Sequence, residues 1–235
     1  MFLFFISSNF SYSLYFSFLF TLIICGSYCI LKDLYLNKDN YKMIKNQKRG
    51  EDLICSTKSE IIRQYKTILP TVLLNSFLII PLFINIFNKF YYIEYNINNF
   101  NIFNSILSLV LGLLLLDFTF YIGHYIMHNK YLYLWSHKKH HEFRFPVGLE
   151  ALYLHWFDLI FGNIIPLYLP IILLNNHILT LVFWNILTIG STILIAHSSN
   201  NDDFHLIHHI NCRYNYGHGI YMDKLLGSKF MIHRD

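Results

Sequence analysis

Thirteen histidines occur among the 235 residues, and the first of them is His124. His124 and His128 are four apart, which on a continuous helix sets both imidazoles on one face about a turn apart. His137, His140 and His141 read HxxHH, and His205, His208 and His209 repeat that pattern. On a helix, positions i, i+3 and i+4 also share a face, so each box would offer three ring nitrogens in one direction. A lone histidine at a helix end is ordinarily an interfacial or capping residue, and a pair at i, i+4 arises by chance. Two copies of HxxHH, in a chain whose amino-terminal half has no histidine, are not structural filler. Eight imidazoles exceed what one tetrahedral zinc ion uses, so the count fits two metal ions. Imidazole suits zinc, copper, iron and nickel, and no thiolate lies inside a box, since Cys212 follows the last one. Ligation by imidazole alone leaves a metal strongly positive, which is compatible with iron that activates dioxygen; spacing does not separate iron from zinc.

The elements that must carry these boxes are membrane helices. Hydrophobic residues make up 54% of the chain and charged ones 14%, against about a quarter in soluble domains, and the mean hydropathy is +0.38. Four runs lack Asp, Glu, Lys and Arg: residues 1–31, 67–88, 95–116 and 159–201. A crossing helix needs about 20 apolar residues, so the first three read as single spans. The fourth is broken by Pro166, Pro170 and Asn175-Asn176-His177, and reads as a hairpin of two shorter helices. The first run has no preceding basic residue and no evident cleavage site, so it reads as an anchor. Nine Lys and Arg between Lys32 and Lys66 place that loop in the cytoplasm. Threading onward brings every box to the cytoplasmic face and leaves His177 at the opposite one. The expectation is thus an all-α integral membrane protein of about four transmembrane helices, the last pair a short hairpin, with a cytoplasmic histidine-rich di-metal cap. A net charge of +4 without a groove-like basic patch argues against nucleic acid, and Cys25, Cys29, Cys55 and Cys212 lack CxxC spacing, so neither a disulfide framework nor a zinc ribbon is expected.

Three phrases then carry a resemblance: DFTFYIGHYIMH from Asp117, LWSHKKHHEFRFPVGLEALYLH from Leu134, and HHINCRYNYGHGIYMDKLLGS from His208. With the HxxxH, HxxHH, HxxHH series they resemble the fatty acid hydroxylase / sterol desaturase superfamily of membrane di-iron oxygenases, nearest its C4-methylsterol monooxygenase branch, over roughly residues 100–230. The resemblance implies an anchor and basic loop over residues 1–100 and a catalytic unit over 101–235. It implies that His124, His128, His137, His140, His141, His205, His208 and His209 bind the metals, with His197, in AHSS, a further ligand. His155 aligns with the histidine of the family's HPLE-like phrase but stands here in HWFD, which leaves a ligand, supporting or interfacial role open. Asn215, Tyr216 and Gly217 match NYG and are expected to shape the turn that closes the last box, with Asn215 supporting a ligand. Tyr125 stands where relatives commonly have Arg, and seven residues between His197 and His205 imply a small substrate-covering loop.

Asp117, seven before His124, shares a helix stripe with Tyr121, His124 and His128. A carboxylate at that depth is expected inside the bundle, accepting the second N–H of an imidazole. Glu142 either does the same or faces water. His218 and His233 read as surface histidines. The implied activity is hydroxylation of an unactivated C–H bond of a lipid, first a sterol methyl group, by two Fe(II) ions and O₂. No GxGxxG fingerprint is present, so the electrons must come from outside the chain; the resemblance implies NAD(P)H through a cytochrome b5-type carrier, and residence in the endoplasmic reticulum. The alternatives are a fatty acyl or sphingolipid hydroxylase, a desaturase with the same site, a non-catalytic membrane metal-binding or transport protein, and an inactive homologue.

Overall fold

The computed structural model describes residues 9–36, 43–46, 51–54, 57–87, 89–197 and 204–230, with side chains from 13 to 35 and from 57 onward within them. His233, Cys55, residues 198–203 of the loop before His205, and the first eight residues lie outside that set. The helices are α1 (Asn9–Leu31), α2 (Lys58–Leu74), α3 (Ile80–Phe87), α4 (Ile102–Met127), α5 (Lys130–Trp135), α6 (Ile165–Leu174), α7 (Ile178–Ser191), α8 (Phe204–Ile210) and α9 (Tyr221–Leu225). One antiparallel pair, β1 (Met43–Asn46) with β2 (Glu51–Ile54), pairs Met43 with Ile54 and Asn46 with Glu51, and is the exception to the all-helical expectation.

Four stretches are long and apolar enough to cross a membrane: Ser13–Tyr35, Lys58–Phe87, Ile102–Met127 and Ile178–Ala196. Their outward residues, among them Phe16, Phe77, Phe103 and Phe183, are exposed, as expected where hydrocarbon rather than water is the solvent. Two boundaries move from the sequence reading. The second span starts at Lys58, because Thr57 and Glu60 form a capping box in which the Glu60 carboxylate accepts from Thr57 N at 2.6 Å and the Thr57 hydroxyl accepts from Glu60 N at 3.3 Å. The third starts at Ile102 rather than residue 95, where the Asn101 side chain accepts from Asn104 N at 3.0 Å, and runs to Met127 with His124 in its last turn as the spacing implied, the buried Asp117 carboxylate being fully engaged. The expected hairpin is unequal: its first arm, Asp158–Leu174, is short, while the second is a full span.

Polar side chains and small residues join the helices where hydrophobicity cannot, since lipid is as apolar as leucine. Asn185 donates to the Ser17 hydroxyl at 2.7 Å, tying α7 to α1. Ser105 and Thr180 hydroxyls meet at 2.7 Å, tying α4 to α7. The fully buried Trp184 donates its indole N–H to Leu167 O at 3.1 Å and lies over Gly112, where a Cβ would stand 2.8 Å from the indole. These contacts run α4 and α7 parallel, so both finish at one end of the bundle, with His124 in the last turn of α4 and His197 just past the π turn Thr192–Ala196. At the other end, the α6–α7 turn pairs with Glu94: Glu94 N donates to Asn176 O and Ile178 N to Glu94 O, each at 3.0 Å. His177 is buried there, away from the boxes.

Candidate metal centre

Box one closes α4, whose C-cap is His128. Box two follows α5 on the 3₁₀ turn His137–Lys139, and Lys139 Nζ fastens it to α2 by donating to the Thr71 hydroxyl at 2.9 Å. Box three is α8. The sequence reading had each box aim three nitrogens in one direction; the structure divides them. His124, His128, His137, His141 and His208 form one group, and His140, His197, His205 and His209 a second, the ligand atoms of each lying within 4.8 Å of one another. Both HxxHH boxes therefore straddle the groups. In box two the chain leaves the 3₁₀ turn after Lys139, which separates His140 from His137 and His141. In box three a helix turns about 100° per residue, so His205 and His209 share a face while His208 stands to one side.

Hydrogen bonds fix the tautomers. His137 Nδ1 lies 2.7 Å from the Asp158 carboxylate, His124 Nδ1 2.8 Å from Tyr216 O, and His208 Nδ1 2.6 Å from Tyr214 O. In the second group His197 Nδ1 lies 2.9 Å from Thr192 O and His209 Nδ1 3.3 Å from Phe143 O. Each of these partners only accepts, so each Nδ1 carries a hydrogen, and in the neutral form of the ring Nε2 is then a bare lone pair. In the first group the Nε2 atoms converge: His128 to His208 2.9 Å, His137 to His128 3.1 Å, His141 to His137 3.1 Å and His208 to His141 3.2 Å. The Nε2 atoms of His124, His197, His205 and His209, and Nδ1 of His140, are buried without a hydrogen-bond partner. Burial holds His128, His140, His141, His205, His208 and His209 well below the usual histidine range and pushes His197 down to about 4. Ring nitrogens that converge in this way, with those of His124, His137 and His208 in one group and His197 and His209 in the other turned inward by their Nδ1 bonds, are satisfied by a cation, so these residues fit one metal ion per group.

The remaining candidates fall into place around the groups. Asp117 does not meet an imidazole: its carboxylate accepts the backbone N–H of Gly219 at 2.7 Å, Tyr221 at 2.8 Å and Met222 at 2.9 Å. Asp223 mirrors it, accepting from Tyr216 N at 2.9 Å and Gly217 N at 2.7 Å. Gly217 lies so close between the two carboxylates that a Cβ there would collide with Asp117 Oδ1. Asn215, in the left-handed region at φ 61°, bonds to no histidine; its amide donates to Phe204 O at 3.1 Å and Phe230 O at 2.9 Å, and so fixes the turn that lays Tyr214 and Tyr216 carbonyls on His208 and His124. His155 joins neither group and packs on Trp135, ring centroids 5.2 Å apart. Glu142 accepts the Tyr153 hydroxyl at 2.5 Å. His218 is not a surface residue: it is half-buried against Phe120 and lines a cavity with His197 and His205. Asp158, the last residue of HWFD, was given no role by the sequence reading; its position 21 residues after His137 offers no periodic signal.

Two cavities share walls at the centre. A small one of about 30 Å³ touches ligands of both groups, including His124, His137, His140 and His205. An apolar one of about 300 Å³ runs between α1, α3, α4, α6 and α7. Phe120, Asn163 and Thr192 line both.

The fatty acid hydroxylase family profile matches residues 109–228, about half of the chain. Among curated relatives, Fatty acid hydroxylase domain-containing protein 2 of Homo sapiens is 28% identical over 133 residues, which is 54% of this chain and 40% of that protein. Fatty acid hydroxylase ahd1 of Mycosarcoma maydis is 34% identical over 112 residues, 45% and 29% of the two chains. Methylsterol monooxygenase 2-2 of Arabidopsis thaliana is 38% identical over 77 residues, 33% and 29%. The matched segments are thus well under half of each relative's length. No solved structure matches.

Proposed function

The chain belongs to the fatty acid hydroxylase family, and from that premise we propose that it is a membrane-bound non-haem di-iron monooxygenase that hydroxylates an unactivated C–H bond of a lipid. The observation that supports this most is the meeting of two sets of bare imidazole nitrogens with the end of an apolar cavity. The overall conversion is R–H + O₂ + 2 e⁻ + 2 H⁺ → R–OH + H₂O. Iron bound by His124, His128, His137, His141 and His208, and by His140, His197, His205 and His209, would supply the reduction of O₂ and the cleavage of the C–H bond.

What this chain's own residues contribute follows from the geometry. Asp158 and the carbonyls of Tyr214, Tyr216, Thr192 and Phe143 hold the ligand rings in the tautomer that presents a lone pair. Asp117 and Asp223 pull the 215–223 turn over the site, which excludes water from it. Residues of the amino-terminal part, Leu14, Phe18, Ile80 and Phe83, wall the apolar cavity, so the anchor region also shapes the lipid site. On this reading the catalytic unit is 101–235. A sterol methyl group is the first substrate, in keeping with the methylsterol monooxygenase relative, and a fatty acyl chain the second, in keeping with ahd1. Electrons come from a cytochrome b5-type carrier at the cytoplasmic face of the endoplasmic reticulum, the side on which the basic 32–66 loop places the boxes. Metal analysis of the purified protein, with O₂-dependent product analysis on candidate 4-methylsterols and ceramides, tests the reading. Two irons per chain and a hydroxylated product support it; zinc without turnover overturns it.

A further inference from the structure

The apolar cavity differs at its two ends. Toward the His177 turn its walls are Leu14, Phe87, Ile172 and Leu181. Along α7 it extends from Leu181 to Ile193, about 18 Å of helix at 1.5 Å per residue. Its polar groups along the way are occupied: the Tyr168 hydroxyl bonds to the Asn185 side chain, and the Thr192 hydroxyl donates to Thr188 O at 2.7 Å. At the metal end the situation reverses. Asn163 spends its amide N–H on Asp158, at 3.2 Å to the carbonyl and 3.4 Å to the carboxylate, and its amide oxygen accepts nothing among the described residues. His218, on the far wall of the small cavity, has Nε2 3.5 Å from the Ser191 hydroxyl. That hydroxyl already gives its hydrogen to Thr188 O at 2.9 Å, so the imidazole is the donor there and its Nδ1 is left as an acceptor. The metal end, where Asn163 and Thr192 line both cavities, thus offers acceptors that are not metal ligands, the Asn163 amide oxygen, the Thr192 hydroxyl oxygen and His218 Nδ1, whereas the lining side chains Leu14, Phe87, Ile172 and Leu181 of the far end offer none.

A hydroxyl buried without a partner gives up its hydrogen bonds to water with nothing in exchange, so an amphiphile cannot place its polar end among Leu14, Phe87 and Leu181 without penalty. We infer that lipid enters this cavity tail first, with its hydroxyl giving its one hydrogen to His218 Nδ1 at the end that Asn163 also lines, so that the C–H bond presented to the metal groups lies within a few bonds of the hydroxyl-bearing carbon. The regiochemical part rests on the oxygenase reading above; the binding orientation does not. Both a long-chain alcohol and a sterol 3-hydroxyl carry the required donor on an apolar body.

Photo-crosslinking on the full-length protein in nanodiscs tests this, using hexadecanol with a diazirine at the chain terminus and, in a second arm, cholestanol with a diazirine at the side-chain end. The expected crosslinks fall on the Phe83–Phe87 and Leu169–Ile172 stretches. Crosslinks concentrated on Phe120, Thr192 or Ala196 overturn the orientation, and an arm that labels neither end removes that class of lipid. Competition against the probe should be about tenfold weaker for hexadecyl methyl ether, which accepts but cannot donate, and His218→Phe should weaken hexadecanol about as much at unchanged metal content. Equal competition by alcohol and ether refutes the hydroxyl recognition without any variant. If the orientation holds but iron-loaded protein oxidises no hydroxylated lipid, the oxygenase reading falls and the binding mode stands; oxidation far along the chain, with crosslinks at the metal end, has the opposite result.

Discussion

Asp158 Oδ2 stands 2.7 Å from His137 Nδ1, and both side chains are almost completely removed from solvent. A carboxylate in this position fixes the ring's tautomer and raises the basicity of the nitrogen that faces the metal. It also belongs to the element that forms the cavity wall, since Asp158 opens the π turn Asp158–Ile164 that carries Asn163. Ligand orientation and the lipid site thus share one short segment. Replacement of Asp158 by Asn keeps the volume and removes the charge, and should weaken the metal held by the first group about 10- to 100-fold. Titration with Fe(II) or Co(II), read as bound metal per chain, should show one site weakened and one unchanged. Two sites of unchanged affinity would remove Asp158 from the metal centre.

The division of each HxxHH box between two groups makes a second expectation quantitative. His208→Ala strips a nitrogen from the first group and His140→Ala one from the second. Each variant should bind one metal in place of two, and both should lose turnover, because the small cavity is bordered by ligands of both groups. If either single replacement left both metals and full activity in place, the ligand assignment would be wrong.

The identity of the boxes was legible because a spacing of three or four residues survives whatever turn carries them. Their partition was not: both boxes set i and i+4 against i+3, but which side of one box meets which side of the other depends on how the turn His137–Lys139 and α8 are placed around the end of α4, and spacing within a box carries no record of that. The membrane spans were legible from charge-free runs, yet the starts of the second and third were misplaced, because local caps at Thr57 with Glu60 and at Asn101 set them rather than the edge of the apolar run. Asp117 shows the general limit. Helix periodicity correctly sent it inward on the stripe of His124, but its partners are backbone N–H groups about a hundred residues later, which no periodicity reveals. His218 was read as a surface residue because it falls in no spaced pattern; its burial arises from the turn that Asp117 and Asp223 tie down.

That role gives Asp117 its own expectation. Asp117→Leu would leave three N–H groups of the 219–222 turn without acceptors, each costing about 1–3 kcal/mol if it stays buried. The turn should therefore open while the spans remain. Limited proteolysis should cut the 215–228 segment of the variant but not of the parent, with helix content nearly unchanged, and His124 and His208 should lose the carbonyl contacts that orient them. A variant as protease-resistant as the parent would show that Asp117 is dispensable to the cap.

Acid should act through the same imidazoles. In the folded protein His197 is pushed down to about 4 by burial, and His140, His205 and His209 lie well below the ordinary value, whereas in the unfolded chain each returns to about 6.5. Below pH 6.5 the unfolded chain therefore binds protons that the folded one refuses. Stability contributed by these neutral rings is complete above about 6.5 and falls as the pH drops through that value, by about 1.4 kcal/mol per pH unit for each ring, continuing to about pH 4 for His197. Bound metal opposes protonation of the same nitrogens, so the loaded protein should resist acid further before releasing its ions. Melting temperatures of metal-free protein should be level from pH 8 to 7 and decline steeply from 6.5 to 5, with the metal-loaded curve displaced to lower pH. A metal-free protein that melts at the same temperature at pH 7 and pH 5 would mean that the folded rings take up protons as readily as the unfolded ones, and the burial said to hold them neutral would be refuted.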